Sequence, residues 1–207
     1  MGRVALLVAM FVVAAPVCAQ PNGVVLVAKP ELADPHFSET VVLVTRSDEG
    51  STVGVILNRP DTRSLGEIAP RFRGAQDFNQ PVYAGGPVLR EVIVALYKAK
   101  APSAEAAFRV LPQVYLTMHP AIIERLLAER PREMRIYSGF CGWAPQQLEA
   151  EIAAGSWYVL GLNEEIVLRR DTSGLWDELV AKASGARTTI DGATRVADAA
   201  TPTVATR

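Results

Sequence analysis

Cysteine and histidine are scarce in this chain of 207 residues, and neither sign of charge dominates it. There are two cysteines, two histidines and a formal net charge of −1. A metal site needs several converging ligands, but His36 and His119 lie far apart and neither belongs to a ligand-spaced pair. A net charge near zero supplies no general attraction to nucleic acid. We therefore expect no metal, no cofactor and no nucleic-acid partner.

A recognisable catalytic set is also missing from the sequence. There is no GxSxG motif, and the Gly85-Gly86-Pro87 turn is too short for a phosphate loop and has no lysine after it. Cys141 would need the fold to bring one of the two histidines to it, and a cysteine beside Phe140 and a glycine is typical of a small buried side chain. No catalytic residue is therefore assigned, and an enzyme with Cys141 as nucleophile remains an alternative.

The one long apolar run lies at the amino terminus. Arg3 precedes 12 apolar residues, Val4 to Ala15, and Val17 and Ala19 then suit the −3 and −1 positions of a signal-peptide cleavage site. The run is too short for a stable transmembrane span, which needs about 20 residues. We expect residues 1–19 to be a signal peptide and the protein to be periplasmic or secreted, with Cys141 as its single cysteine. The alternatives are a lipidated Cys18, or a cytoplasmic protein whose start is mis-assigned.

Short β-branched runs fill the first half of the chain, and helical periodicity appears only in the second half. Strands followed by mixed strands and helices favour an α+β fold over a doubly wound parallel sheet. Helices should begin at Pro120, Pro145 and Leu175, and residues 185–207 should form a flexible tail. The predicted strands are residues 23–28, 40–45, 53–57, 91–97, 134–138, 157–160 and 166–168, with an interrupted strand at 110–117 and a loop at 98–109.

Three short motifs carry residues that are suited to binding. An arginine such as Arg59 can hold a carboxylate or phosphate, although a salt bridge at a strand end is the plainer interpretation. A double glycine either makes a tight turn or lines a pocket. Gln147 and Glu151 lie four apart and share a polar helix face that is left for water or a partner. The predicted binding surface, for an unknown protein or small molecule, comprises Asn58, Arg59, Gly85, Gly86, Trp143, Gln147 and Glu151.

Taken in order, these motifs resemble those of the YqgE/AlgH family of bacterial proteins. The similar pieces are VGVILNRP ending at Pro60, GGPV from Gly85, a GW-x-x-x-QLE-x-E helix from Gly142, and the following Trp157. The resemblance covers about residues 23–184 and implies one domain, residues 20–184, with a bent mixed or antiparallel sheet that forms a partial barrel with a few flanking helices. No cofactor, substrate or catalytic residue is established for the family, and some members have been proposed as transcriptional regulators.

The chain departs from the family pattern at three places. Arg46-Ser47 stands where members usually have a histidine, Gly139-Phe140 replaces Gly-Tyr with Cys141 added, and members typically lack a signal peptide. The similar region begins three residues after the predicted cleavage site, as an exported domain should. We therefore expect an exported, non-enzymatic binding or interaction domain. A transcriptional regulator, if the protein is cytoplasmic, is the alternative.

Overall fold

One sheet forms the framework in a computed structural model that describes residues 23–46, 52–100 and 107–185. Within these residues the strands are β1 (Gly23–Ala28), β2 (Val41–Arg46), β3 (Thr52–Ile56), β4 (Val82–Ala84), β5 (Val88–Lys98), β6 (Ala107–Leu111), β7 (Val114–Thr117), β8 (Met134–Trp143) and β9 (Trp157–Gly161). The helices are α1 (Leu65–Ile68), α2 (Pro120–Glu129), α3 (Gln147–Ala153), α4 (Glu164–Val167) and α5 (residues 175–185). The predicted signal peptide and nearly all of the predicted tail lie outside the described residues.

The strand order of the sheet is β6-β7-β5-β8-β3-β2-β1-β9, with antiparallel pairing along this path. β4 lies off the path and pairs in parallel with β8. The ten-residue β8 pairs with β4 and β5 along its first half and with β3 along its second half. The sheet curls into a half-barrel, so the predicted α+β fold with a bent sheet is confirmed.

Both faces of the central strands are covered by apolar side chains. In β1, Val25 and Val27 pack inside the curl with Leu175 and Leu179 of α5, whereas Leu26 packs on the opposite face. Alternate residues of a strand point to opposite faces, so a strand that is buried on both sides consists almost entirely of apolar residues. Each fully buried side chain of this kind stabilises the fold by about 1.5–3 kcal/mol.

Two helix ends match the signals in the sequence, whereas the helix predicted to begin at Pro145 begins at Gln147, after a turn at residues 145–146. Pro120 occupies the first turn of α2, and the helix ends at Arg130, whose φ is 50°. Gly155 has a φ of 83° and follows α3, as predicted for a helix-terminating glycine. Within the described residues no helix combines the length and hydropathy needed to cross a membrane.

The strand predicted at residues 166–168 was wrong, because Ile166 and Val167 belong to helix α4 and Leu168 is its C-cap. The Asn163 side chain accepts a hydrogen bond from the backbone N–H of Glu165 at 2.7 Å and caps the helix. A short apolar run fits a buried strand and a buried helical turn equally well, and the cap decides between them here.

Several further boundaries differ from the sequence-based expectation, among them the start of β5 at Val88 rather than residue 91. β8 does not stop at Ser138 but continues through Gly139, which has a φ of 73°, to Trp143. The expected loop at 98–109 contains the start of β6, and the interrupted strand at 110–117 is an antiparallel hairpin of β6 and β7. Helix α5 continues to residue 185, the first residue of the expected tail. In each case pairing or packing with distant segments extends the element beyond its local signal.

Candidate functional site

Asn58 follows β3 and fastens the segment that leads into β2. Its Oδ1 accepts a hydrogen bond from Val41 N at 2.8 Å, and its Nδ2 donates to the carbonyl of Glu39 at 2.9 Å. The Asn58 side chain thus satisfies the backbone N–H of Val41 and the backbone carbonyl of Glu39, as asparagine often does at turns. Its amide is engaged by the protein itself.

Arg59 spans the same segment from the opposite side. Its Nη1 donates to the carbonyl of His36 at 2.8 Å, and its Nη2 donates to the carbonyl of Ser38 at 3.1 Å. Neither bond involves a carboxylate, so the salt bridge considered as the plainer interpretation does not form among the described residues. Two backbone carbonyls therefore hold the guanidinium in place, and no carboxylate of the described residues neutralises its positive charge.

Gly85 and Gly86 run directly against the backbone of β8. Gly85 N donates to Ser138 O at 2.8 Å, and Gly85 O accepts from Ile56 N at 2.8 Å. A Cβ on Gly86 would lie 2.3 Å from the carbonyl carbon and oxygen of Phe140. Only glycine allows this approach, so the double glycine is a packing requirement, and Gly86 also lines a pocket.

Arg59 and Gly86 line one concave site of about 190 Å³, which we call the loop pocket. Among the described lining residues only Asp61 is acidic, and it forms a bidentate pair with Arg63 at 2.8 and 3.1 Å. The hydrogen bond from Arg63 holds the pKa of the Asp61 carboxyl below its usual value. The pocket therefore carries excess positive charge. Its lining residues are His36, Ile56, Arg59, Asp61, Arg63, Ala84, Gly86, Pro87, Arg90 and Ser138.

Trp143, Gln147 and Glu151 form a separate polar cluster around α3. The Oε2 atom of Glu151 accepts hydrogen bonds from Trp143 Nε1 at 3.2 Å and from Trp157 Nε1 at 3.1 Å. Gln147 donates to Glu151 Oε1 at 3.0 Å and accepts from the backbone N–H of Ala144 at 3.1 Å. The polar helix face that was predicted to contact water or a partner therefore makes most of its hydrogen bonds within the domain.

Phe37 connects this cluster to the loop pocket. Its ring stacks on Trp143, with a centroid separation of 6.2 Å, and meets Trp157 edge-on at 5.5 Å. Its chain neighbours His36 and Ser38 are the residues that Arg59 holds. The fold therefore brings the predicted surface residues together as two groups on either side of one loop rather than as one open surface.

Cys141 lies in the core between these groups. Its side chain is fully buried, and its thiol donates to Gly85 O at 3.4 Å. Burial raises the pKa of the thiol to about 12. Because the thiolate is the nucleophile, a buried thiol with this pKa is poorly suited to catalysis.

The two histidines are not brought together. His36 is exposed at the loop pocket, and His119 precedes α2 without a side-chain capping bond. Within the described ranges no group of three histidine, cysteine or acidic side chains is placed to hold a metal ion.

A larger cleft of about 790 Å³ was missed at the sequence level. We call it the Arg135 cleft, and its most unusual member is Arg135 in β8, whose exposed fraction is only 8%. The one available signal was an arginine inside the apolar strand sequence MRIYS. The lining residues are Gln80, Pro81, Tyr83, Arg132, Glu133, Met134, Arg135, Leu168 and Arg170.

Solved structures with the same fold include the AlgH protein of Pseudomonas aeruginosa, determined in solution. It is 23% identical, with a TM-score of 0.64 over 83% of this chain and 92% of the other. A crystal structure of a Corynebacterium diphtheriae protein is 24% identical, with a TM-score of 0.59 over 78% and 85% of the two chains. These likenesses establish a shared fold.

Sequence relatives extend the likeness across most of the chain. A UPF0301 protein of Thermobifida fusca is 35% identical over 79% of this chain and 87% of its own length. A UPF0301 protein of Myxococcus xanthus is 35% identical over 73% of this chain and 84% of its own length. The family model described as AlgH-like matches residues 25–187. The chain therefore belongs to the AlgH-like family, as its motifs indicated.

Proposed function

We propose that this protein is a non-enzymatic binding domain that holds a small anion in the loop pocket. The observation that supports this function is the charge of the lining. Three arginines and His36 surround about 190 Å³ of space, and Asp61, which supplies the one carboxylate in the described part of the lining, is paired with Arg63. Arg59 and Arg90 form no ion pair with the described residues.

Each motif has a place in this proposal. Arg59 is fixed by two backbone carbonyls, so little side-chain freedom is lost when an anion binds. Gly86 brings backbone to the pocket wall without a side chain that would fill it. The cluster of Trp143, Gln147 and Glu151 positions Phe37, and through it the loop that carries His36. Its role is to hold the pocket rather than to touch the ligand.

Inorganic phosphate is a suitable probe, because it is small enough to enter a pocket of about 190 Å³ and arginine binds its oxygens in pairs. Titration of the folded protein should shift the backbone amide signals of Gly86 and Ser138 in a saturable way. Arg90 is exposed, and its side chain makes no hydrogen bond or ion pair with the described residues. Arg90→Gln should therefore weaken phosphate binding about fivefold without loss of stability.

Arg73→Gln is the matched control, because Arg73 is also exposed and lies outside the pocket lining. Phosphate binding should change by less than about twofold in this variant. An equal loss of phosphate affinity in the two variants, or amide shifts that never saturate, would show that the protein attracts phosphate only through diffuse charge. The proposed pocket would then be rejected.

We also propose that the protein works outside the cytoplasm after cleavage behind Ala19. The support is the order of charge, apolar run and small residues in the first 19 positions. Mass spectrometry of the protein from its native host should show Gln20 as the first residue. An intact amino terminus at Met1 would contradict cleavage behind Ala19. A terminus produced by a later start would favour the alternative, a cytoplasmic regulator whose start is mis-assigned.

A further inference from the structure

We propose that the Arg135 cleft is a second ligand site, which takes a small organic molecule with at least two negative charges carried on phosphate or carboxylate groups. This site shares no lining residue with the loop pocket. Tyr83 and Ala84 are successive residues of β4, so their side chains point to opposite faces, one toward each site.

Arg135 is a buried cation with incomplete partners. Its Nη1 lies 3.5 Å from Leu57 O and 3.4 Å from the hydroxyl of Tyr137, both at the long limit of hydrogen bonding. The guanidinium lies 4.8 Å from the ring centroid of Tyr83. No carboxylate pairs with it in the part of the chain that the structure describes.

An unpaired charge that is more than nine-tenths buried is costly, because the protein interior solvates it poorly. Arg135 has a cation–π contact and two weak hydrogen bonds, but no counter-charge among the residues that the structure describes. A bound anion in the cleft would supply that counter-charge and accept the planar pairs of N–H groups that arginine offers.

Two more arginines stand at the rim of the cleft. Arg170 donates from Nη2 to the carbonyl of Arg132 at 3.3 Å, and its own carbonyl accepts a hydrogen bond from Tyr83 at 3.4 Å. Among the described lining residues Glu133 alone is acidic; it lies 3.9 Å from Lys98, whose ammonium group pairs more closely with Glu164. Three guanidinium groups around one cleft fit a ligand with more than one negative charge.

The size and the apolar part of the lining indicate an organic ligand rather than a bare ion. About 790 Å³ falls within the usual range for small-molecule sites, roughly 300–1,000 Å³. Pro81, Met134, Leu168 and the ring of Tyr83 form surface that an uncharged portion of the ligand can contact. The cleft thus combines apolar walls with a few convergent polar groups.

Inorganic pyrophosphate and citrate are the two probes, one for each source of negative charge. Binding to the folded protein is measured by calorimetry, and the site is identified from backbone amide shifts of residues 134–136. Arg132→Gln and Arg170→Gln change exposed residues, so folding should be retained, and each should weaken binding about tenfold. Arg135→Met should abolish binding if circular dichroism shows that it folds.

Arg130→Gln removes the same charge two positions from Arg132, at an exposed residue outside the lining. It should change the affinity by less than about twofold. Saturable binding with this pattern supports the site, and the tighter probe identifies phosphate or carboxylate as the recognised group.

Three results would overturn the site. One is the absence of saturable binding of either probe up to about 10 mM. Another is an equal loss of probe affinity in Arg130→Gln and Arg132→Gln. The third is that the probes shift only the backbone amide signals of Gly86 and Ser138. Because the loop pocket is followed through its own amide signals, failure at the cleft is distinguishable from failure of the proposed function.

Discussion

The carboxylate of Glu151 is the shared acceptor of two indoles, and its removal should destabilise the fold. Trp143 and Trp157 are 8% and 4% exposed, and both donate to Glu151 Oε2. Gln147, which is exposed, donates to the other oxygen. The change that isolates this arrangement is Glu151→Ala, which deletes the acceptor and leaves both rings in place.

The expected loss follows from the two indole N–H groups. A buried donor that loses its partner costs about 1–3 kcal/mol, and water can reach this partly buried position, so the lower part of that range applies to each. Two donors give a loss of about 2–4 kcal/mol in the free energy of unfolding. For a domain of this size, that corresponds to a melting temperature lowered by roughly 4–16 °C.

Glu149→Ala is the matched control on the same helix. Glu149 is exposed, and its ion pair with Arg46 lies at the surface, where such a pair contributes about 0–1 kcal/mol. Its carboxyl also accepts a hydrogen bond from its own backbone N–H at the start of α3. Urea unfolding followed by circular dichroism and by tryptophan fluorescence compares the two variants. If Glu151→Ala costs no more than Glu149→Ala, the indole–carboxylate cluster does not support the fold, and the role assigned to it here is wrong.

Three other changes probe the core. Gly86→Ala should destabilise the protein by more than about 2 kcal/mol in urea unfolding, because the new Cβ would lie 2.3 Å from the Phe140 carbonyl. Cys141 should resist iodoacetamide at pH 8 in the native protein and react once urea unfolds it, because its folded pKa is about 12. Tyr97→Phe should leave stability unchanged or raise it by about 1 kcal/mol in thermal unfolding, because the buried Tyr97 hydroxyl has no hydrogen-bond partner among the described residues.

Each of these expectations has a control or a contrary result. Gly161→Ala should be tolerated, since nothing lies within 4 Å of its Cβ position, and an equal cost at Gly86 and Gly161 would contradict the close approach. Rapid native alkylation of Cys141 would revive the nucleophile hypothesis. Tyr137→Phe should lower stability, because it removes a partner of Arg135, and the Tyr97 argument fails if Tyr97→Phe lowers it as much.

The pKa of Cys141 also sets a direction for alkaline stability. The folded pKa is about 12, above the ordinary value of 9.0, so folding favours the protonated thiol. This contribution is fully present below pH 9 and declines as the pH rises from there toward 12, because the unfolded thiol ionises first. Cys141→Ser removes the effect, so its unfolding free energy should decline less steeply above pH 9 than that of the natural chain.

Local patterns were sufficient where an element carries its own signals. The β-branched runs of β1 and β2, and the proline at the start of α2, predicted these elements almost to the residue. Local patterns failed where pairing with a distant segment determines how far an element extends. β8 continues through Gly139 because β3 and β5 pair with it on both sides, and neither strand is a sequence neighbour.

For the candidate sites, too, the sequence indicated some features and only the structure revealed others. Asn58 and Arg59 stood out by residue type, but the carbonyls that Arg59 holds lie 21 and 23 positions away in the chain. Glu151 showed helical spacing from Gln147, yet its use as an acceptor for two indoles depends on where β8 and β9 place the rings. Residue types were visible, whereas their partners were not.

Composition, periodicity and motif order were enough to establish the fold class, most of the strands and helices, and membership of the AlgH-like family, because those properties reside in short windows and their sequence order. Charge environment was a property of the folded chain. The sequence shows Arg135 only as an arginine within an apolar strand. In the folded chain its position in β8 places it beside Tyr83 and buries it. Burial and counter-charge depend on residues far apart in sequence, and only chain folding brings them together.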